Sequence, residues 1–260
     1  MNRITFFAAL SLAAFPLAIA PAQAQAARPP ASRAQASPAE LLAAADAQLR
    51  FADSDFSCDL RLDTEGADGS VSSSALRVMR RDRERKAAAF VLAPESERGE
   101  GYLRNDGNLW FFDAETGGYV HSVVSDSVSD SEMESGDIEP DSLVASYRVE
   151  EVAPARLGAN DVLILELAEK SPQAYPRIRV WLRASDSLLL KEEFFGASGR
   201  LIRYVLYPAH VRLGARTIPS AMIYVDALSK GGRTRVTLSS PRFAPIDDSA
   251  FTKAFLERAR

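Results

Sequence analysis

The chain has 260 residues, of which 47% are hydrophobic and 25% charged, and its formal net charge is −4. This composition is typical of a globular protein with a substantial core, and the mild negative charge argues against general binding of nucleic acids. Cys58 is the only cysteine, which excludes an internal disulfide. The two histidines, His121 and His210, have no Cys, Asp or Glu at metal-ligand spacing, so the sequence does not predict a zinc site.

The first residues are typical of an export signal. Arg3 supplies a positive charge, residues 4–20 form an apolar stretch, and small residues before position 25 suit a signal peptidase, although a cut after Ala26 is equally acceptable. No later segment approaches the roughly 20 apolar residues needed to cross a bilayer. We therefore predict a soluble, exported periplasmic protein. Its parts are a signal peptide over 1–24, a flexible leader over 25–36 and a single domain over 37–260.

A helix is predicted at each end of the domain. Ser37 to Glu40 form a complete helix start, with a capping serine, proline at the first helical position and glutamate three residues after the cap. The apolar stripe that follows comprises Leu41, Leu42, Ala45 and Leu49. Near the other end, Asp247 or Asp248 can cap a second helix. Its apolar face comprises Phe251, Phe255, Leu256 and Ala259.

Between these helices the sequence predicts about eleven strands and no regular alternation of strands with helices. Residues 56–62 alternate apolar and polar side chains, as expected of a half-buried strand. Residues 109–112 and 119–124 flank a glycine-containing turn and predict an antiparallel hairpin. Turn signals every ~8–12 residues predict a mainly β (α+β) fold. Apolar helices at both ends favour one strongly curved antiparallel sheet wrapped around them.

Two charged segments interrupt the strand pattern. Residues 125–141 carry seven carboxylates and no base, so they predict a solvated loop over the edge or mouth of the sheet. Their spacing does not fit a calcium-binding EF-hand, and residues 138–145 are expected to form a short helical turn. The basic run at 80–86 falls between two strands and predicts a solvated turn, or a contact with an anionic lipid or partner.

The sequence offers no motif for catalysis. It lacks the Gly-x-Ser-x-Gly elbow of serine hydrolases, a phosphate-binding loop and a dinucleotide-binding glycine pattern. Cys58 alternates with Phe56 and Leu60, which indicates a buried thiol, with a reactive thiol as the alternative. We expect no enzyme activity and no cofactor. A serine, a histidine and an aspartate within hydrogen-bonding distance of one another would favour a hydrolase.

The interior has two expected outcomes: an apolar cavity, or a core that large side chains fill. Two short helices would leave part of the hollow face of such a sheet uncovered, which favours a cavity. The provisional cavity wall comprises Phe90, Leu92, Trp110, Phe112, Ile178, Val180, Leu182, Tyr204, Leu206, Met222 and Tyr224. The other face of the strand at 177–183 is cationic and aromatic. Arg179, Trp181 and Arg183 on that face are a provisional surface for docking on a partner.

The order of these features is similar to that of the outer-membrane lipoprotein-sorting protein family, which includes the LolA and LolB carriers. The resemblance covers most of residues 38–258. Besides the two helices, it rests on the aromatic strand 109–112, the acidic loop, and the runs 138–143, 188–195 with Gly199, 218–222 and 246–253. In relatives the central loop typically reads Met-Gly-Ser-Asp-Phe, whereas residues 133–138 here read Met-Glu-Ser-Gly-Asp-Ile. The resemblance implies a half-barrel of antiparallel strands closed by helices, with an apolar cavity for acyl chains. It also implies a partner transporter of the resistance-nodulation-division or ABC type in the inner membrane.

These observations support two hypotheses for the function. The first is a monomeric periplasmic carrier or chaperone that binds the acyl chains of lipoproteins or other lipids in an apolar cavity and passes them toward the outer membrane. The alternative is a non-carrying periplasmic accessory module that docks on an inner-membrane transporter. A carrier needs no catalytic group, because an acyl chain moves between two apolar environments at near-zero net free energy.

Overall fold

The computed structural model describes residues 36–105, 107–228 and 232–258. The predicted signal peptide and almost all of the predicted leader lie outside these residues. Within the described part of the chain, no helix is both long and apolar enough to span a membrane.

The described residues form a single antiparallel sheet of 13 strands with few helices, which confirms the predicted fold class. The strands are β1 Phe56–Glu65, β2 Val71–Arg81, β3 Lys86–Ala93, β4 Gly101–Asn105, β5 Asn108–Asp113, β6 Gly118–Ser122, β7 Tyr147–Leu157, β8 Asn160–Glu169, β9 Arg177–Arg183, β10 Leu189–Phe195, β11 Leu201–Leu213, β12 Arg216–Asp226 and β13 Arg233–Phe243. The helices are α1 Pro38–Leu49, α2 Leu143–Ser146 and α3 Lys253–Arg258, the last preceded by a 3₁₀ turn over Asp248–Phe251. The strand count exceeds the predicted eleven partly because β4, which ends in Arg104 and Asn105, gives little strand signal.

The strand order shows how the chain builds this sheet. Strands β1 to β6 run outward to one edge, and β7 to β13 return from the opposite edge until β13 pairs with β1. The chain therefore has to pass from one edge of the sheet to the other between β6 and β7. Val128, Met133 and Ile138 of this connection are buried in the main core, so the chain makes the passage along one face of the sheet.

Helix α1 lies on the face of the sheet that we call the inner face. The Ser37 side chain accepts a hydrogen bond from the backbone N–H of Glu40, and the Glu40 carboxylate accepts one from the backbone N–H of Ser37, which confirms the predicted capping box. Leu41, Leu42 and Ala45 are buried in the main core. Gln48 fixes the end of the helix, since its side chain accepts a hydrogen bond from the backbone of Leu189 at 2.9 Å.

The C-terminal residues pack on the opposite, outer face of β3 to β5. Phe251 and Leu256 form a second core with Ala88, Leu103 and Phe112. Asp247 caps the 3₁₀ turn by accepting a hydrogen bond from the backbone of Ser249. A side chain at Gly101 would place its Cβ 2.9 Å from a backbone oxygen and 3.0 Å from Leu256, so glycine permits this close approach. The two predicted helices thus cover opposite faces, and Ala259 lies outside the described residues.

Candidate functional site

Residues 123–142, which we call the crossover segment, cover the inner face of the sheet. Val128, Met133 and Ile138 are buried in the main core, and Glu139 is only 1% exposed. The prediction of a solvated loop for residues 125–141 was therefore wrong for much of this segment. The short helical turn predicted over 138–145 is shorter and lies later, as α2 over Leu143–Ser146.

Arginines from distant elements explain how so acidic a segment can be buried. Arg50 at the end of α1 and Arg104 on β4 lie 3.0 and 3.1 Å from the Glu139 carboxylate. Arg104 also contacts Asp141 at 3.1 Å. Burial is the main influence on Glu139 and raises its pKa to about 7, although the two arginines act in the opposite direction. A buried carboxylate needs such partners, and the local sequence cannot show them.

Arg203 on β11 holds the middle of the crossover segment. Its guanidinium lies 2.5 Å from Glu134 and 2.7 Å from Asp137. The Arg203 Cζ also lies 5.1 Å from the ring centre of Phe194 and 5.3 Å from that of Tyr224. Burial acts to lower the pKa of Arg203, but Asp137 and Glu134 raise it well above its ordinary value. Arg203 therefore remains charged and ties the crossover segment to the sheet.

A cavity of about 180 Å³ lies between the crossover segment and the inner face. Its apolar wall includes Phe56, Cys58, Leu60, Val78, Met133, Ile138, Leu143, Ile178, Phe194, Ile218, Met222, Tyr224 and Leu238. An engineered apolar cavity of about 150 Å³ admits benzene, so the cavity seen here has room for a short length of hydrocarbon. A whole acyl chain would require the crossover segment to move outward.

Ionisable side chains also reach this wall. Glu192 on β10 is 3% exposed and accepts a hydrogen bond of 2.5 Å from Tyr207 on β11. Burial raises the pKa of Glu192 to about 7, and the same burial raises the pKa of Tyr207 well above its ordinary value. Glu192, Arg203 and Tyr207 were not among the site residues predicted from the sequence. The spacing of Glu192 and Phe194 was the available signal, because residues two apart on a strand share a face.

Cys58 is a buried thiol at the cavity wall, as the strand pattern predicted. Burial raises its pKa to about 12, so the thiolate form that reacts with electrophiles is scarce at neutral pH. Its place on β1 puts it beneath the crossover segment, which makes it a natural position for a chemical probe of the cavity.

The structure brings together three of the eleven residues predicted for the cavity wall: Ile178, Met222 and Tyr224 line the cavity. Val180 and Leu182 share the inner face with Ile178, but they are fully buried in the main core and do not line the cavity. The remaining six lie on the outer face: Phe90, Leu92, Trp110, Phe112, Tyr204 and Leu206. Their assigned face was wrong by one residue, because both faces of these strands carry large apolar side chains and the period of two has no preferred phase.

The predicted docking residues share the outer face of β9, and their charges are already paired. Arg179 contacts Glu166 at 2.5 Å and Glu193 at 2.9 Å. Arg183 contacts Asp186 at 2.6 Å, and the Lys191 ammonium lies 5.2 Å from the ring centre of Trp181. A role for these three residues in docking stays a prediction.

The basic run at 80–86 is less solvated than predicted. Arg80 and Arg81 are buried and pair with Asp82 at 2.6 Å and with Asp55 at 3.0 Å. Arg81 also holds the C-terminal segment by hydrogen bonds to Asp248 and to the backbone of Ile246. Only the later part of the run faces solvent, so these arginines position chain segments at both faces of the sheet.

No group of three or more potential metal ligands is present among the described residues. Burial lowers the pKa of His210, and the ring of His121 lies 5.0 Å from that of Trp110. These surroundings are typical of histidines that contribute to packing.

An open antiparallel sheet whose inner face carries a helix, a crossover segment and a cavity defines a LolA-like fold, and solved structures share it. A LolA superfamily protein from Nitrosomonas europaea is 22% identical with a TM-score of 0.74, over 85% of this chain and 99% of that one. A domain ascribed to outer membrane lipoprotein sorting from Vibrio parahaemolyticus is 18% identical with a TM-score of 0.73, over 85% and 98%. A DUF1329 family protein from Desulfovibrio piger is 17% identical with a TM-score of 0.73, over 84% and 97%.

The chain belongs to the family whose model is described as "-like: Uncharacterized protein" and matches residues 83–258. The predicted resemblance to the LolA and LolB carriers is confirmed at the level of the fold. A search of the curated proteins finds no match.

Proposed function

We propose that the protein is a lipid carrier that holds a hydrocarbon chain between the crossover segment and the inner face of the sheet. The observation that carries this proposal is the cavity of about 180 Å³, whose wall is largely apolar. Transfer of a chain from a bilayer into such a cavity exchanges one apolar surrounding for another, so it has little net cost in free energy. The cargo is proposed to be the acyl chains of a lipoprotein or another lipid, moved through the periplasm toward the outer membrane.

The ion pairs that hold the crossover segment support the proposal that this segment is a cover that can open. Met133 and Ile138 pack into the core, and ion pairs to Arg50, Arg104 and Arg203 hold acidic side chains of the segment. Ion pairs can exchange protein partners for water, whereas a continuous apolar interface cannot. Outward movement of the segment would enlarge the cavity for a longer chain, and a bound lipid would shift the population toward the open form.

Displacement of a neutral fluorescent probe, N-phenyl-1-naphthylamine, by lipids tests this proposal. Met222→Trp would fill the cavity, and Ile223→Trp adds the same side chain to the opposite face of the same strand. We expect the first variant to lose at least about tenfold in affinity and the second to bind like the wild type. Equal binding by both folded variants would contradict the proposed cavity as the binding site.

The alternative of an accessory module that docks on an inner-membrane transporter, of the resistance-nodulation-division or ABC type, is a second proposal. The favouring observation is that Trp181 reaches the outer face between Arg179 and Arg183. Substitution of all three by alanine should abolish co-purification with such a transporter while leaving probe binding intact. Retained co-purification would contradict a role for this surface in docking.

A further inference from the structure

One buried donor at the cavity wall has no protein acceptor among the described residues. Arg203 is 5% exposed, and its Nε carries a hydrogen that no described protein atom accepts. The two terminal nitrogens of the same guanidinium contact Glu134 and Asp137. Because the ion pairs engage only the two terminal nitrogens, the Nε–H is left without an acceptor. A buried donor without an acceptor is unfavourable, and a ligand that accepts its hydrogen bond would relieve that cost.

The surroundings of this donor place it at the cavity. Phe194 and Tyr224, whose rings flank the guanidinium, both line the cavity, as do Glu134 and Asp137. Arg203 itself is a lining residue. The Nε–H therefore lies at the boundary between the aromatic wall and the crossover segment. The Nε atom itself is closed to water in this structure, so a ligand would reach it when the crossover segment moves outward.

The charges around the donor decide which acceptor fits. Arg203 contributes one positive charge, and Glu134 and Asp137 offset it with two carboxylates, while Glu192 stands on the neighbouring strand. An anionic group would meet these carboxylates in a poorly solvated site, where repulsion is strong. A neutral carbonyl oxygen can accept the hydrogen bond without adding charge.

We propose that Arg203 Nε–H binds the carbonyl oxygen of a neutral acyl ester or acyl amide whose hydrocarbon chain occupies the cavity. This inference rests on the proposed function and names its ligand class. The protein would then distinguish acylated lipids from free fatty acids, whose carboxylate is repelled, and from ether-linked chains, which lack the carbonyl. The polar end of the ligand would lie against the crossover segment. The surface that contacts this segment would therefore differ between the loaded and the empty protein.

A matched pair of lipids isolates the carbonyl. 1-Monolauroylglycerol and 1-O-dodecylglycerol have the same head and chain length and differ in the ester carbonyl, and dodecanoic acid supplies the anionic case. In displacement of N-phenyl-1-naphthylamine at pH 8, we expect the ester to bind about tenfold more tightly than the ether. The acid is expected to bind more weakly than the ester. Equal affinities for ester and ether, or tighter binding of the acid, would overturn the inference.

Two arginine variants and a spectroscopic measurement complete the test. Arg203→Lys keeps a cation for Glu134 and Asp137 but removes Nε, and it should reduce the ester-to-ether ratio to about one. Arg77→Lys, on β2 with Asp59 as a carboxylate partner of its own, should leave the ratio unchanged. If Arg203→Lys does not fold, the infrared band of a ¹³C-labelled ester carbonyl bound to the wild type should shift to lower wavenumber. An unshifted band would also overturn the inference.

The outcomes separate this inference from the carrier proposal. If ester and ether bind equally and Met222→Trp blocks both, the cavity is the binding site and the role of Arg203 is refuted. If none of the three lipids displaces the probe, the carrier proposal fails and the inference fails with it.

Discussion

At the scale of single residues, the cavity combines apolar side chains with ionisable ones that are shielded from water. Glu192 illustrates the consequence, because burial raises its pKa to about 7 from an ordinary value of 4.5. The folded state therefore binds a proton more tightly than the unfolded state does. Stability from this group is fully present below about pH 4.5 and is lost as the pH rises through about 7.

Glu192→Gln should remove this loss of stability. Glutamine keeps an oxygen that can accept the hydrogen bond from Tyr207 and carries no charge at any pH. We expect the variant to match the wild type at pH 5 and to exceed it in free energy of unfolding by on the order of 2–3 kcal/mol at pH 8. Urea unfolding across this range measures the difference. Glu139 retains its own pH dependence, so the variant's curve should be flatter but not flat.

The matched control is Glu150→Gln on edge strand β7, where the side chain is exposed. This substitution should shift the unfolding curve by less than about 0.5 kcal/mol at every pH. Parallel curves for the wild type and Glu192→Gln between pH 5 and 8 would contradict the assignment of a buried, titrating carboxylate.

What the sequence can predict about residues depends on how local the cause is. The Ser37 cap follows from four consecutive residues, and the burial of Cys58 from one strand's alternation, so both predictions were correct. On β11 every position from 201 to 207 except Arg203 is apolar. Burial nevertheless alternates along this strand, and Arg203, Val205 and Tyr207 face inward. Nothing within the strand identifies that face, because only the tertiary structure decides it.

At the scale of elements, the crossover segment is held to the sheet by ion pairs as well as by buried apolar side chains. Removing the charges of Glu134 and Asp137 would leave Arg203 buried without a partner, which typically costs 3–5 kcal/mol and is relieved when the segment moves and admits water. In Glu134→Gln/Asp137→Asn we expect Cys58 to react with a maleimide at least about tenfold faster than in the wild type. Mass spectrometry of the labelled protein follows the rate.

Asp130→Asn is the control within the same segment, since this side chain is exposed. It should leave the Cys58 labelling rate unchanged. Unchanged labelling in the double variant as well would show that apolar contacts alone hold the crossover segment, and it would count against the ion pairs as its fastening.

The C-terminal helix stabilises the outer face. Phe251 is 1% exposed and packs on Ala88, Leu103 and Phe112, and the Lys253 ammonium lies 3.9 Å from the ring centre of Trp110. Phe251→Ala should cost about 3–5 kcal/mol in free energy of unfolding, as measured in urea. Glu257→Ala, on the exposed side of the helix, should cost less than about 0.5 kcal/mol. A small loss in Phe251→Ala would mean that the helix is not docked as described.

Elements with a clear local pattern were predicted well, and elements whose place depends on topology were not. The hairpin of β5 and β6 follows from two apolar runs and a turn. The course of the crossover segment follows instead from β6 and β7 being opposite edges of the sheet. Its acidic composition suggested solvent, because its arginine partners lie on α1, β4 and β11, far away in sequence.

At the scale of the whole molecule, the sheet and the crossover segment enclose the cavity. A carrier built in this way has to meet two opposing requirements. A carrier has to shield a hydrocarbon chain from water, yet it has to release the chain to the next partner. A cavity with a largely apolar wall and a cover held partly by ion pairs meets both requirements, since the apolar side chains shield the chain and the ion pairs can exchange their partners for water when the cover opens. The single antiparallel sheet could be predicted from strand spacing, whereas the position of the cavity required the tertiary structure.

The most direct test of the central claim is mass spectrometry of the protein purified gently, without detergent, from cells that export it. We expect a lipid adduct on the wild type and on Ile223→Trp, and its loss from Met222→Trp when all three are folded. A wild-type protein free of lipid, or an adduct that Met222→Trp retains undiminished, would contradict the claim that the space beneath the crossover segment holds a hydrocarbon chain.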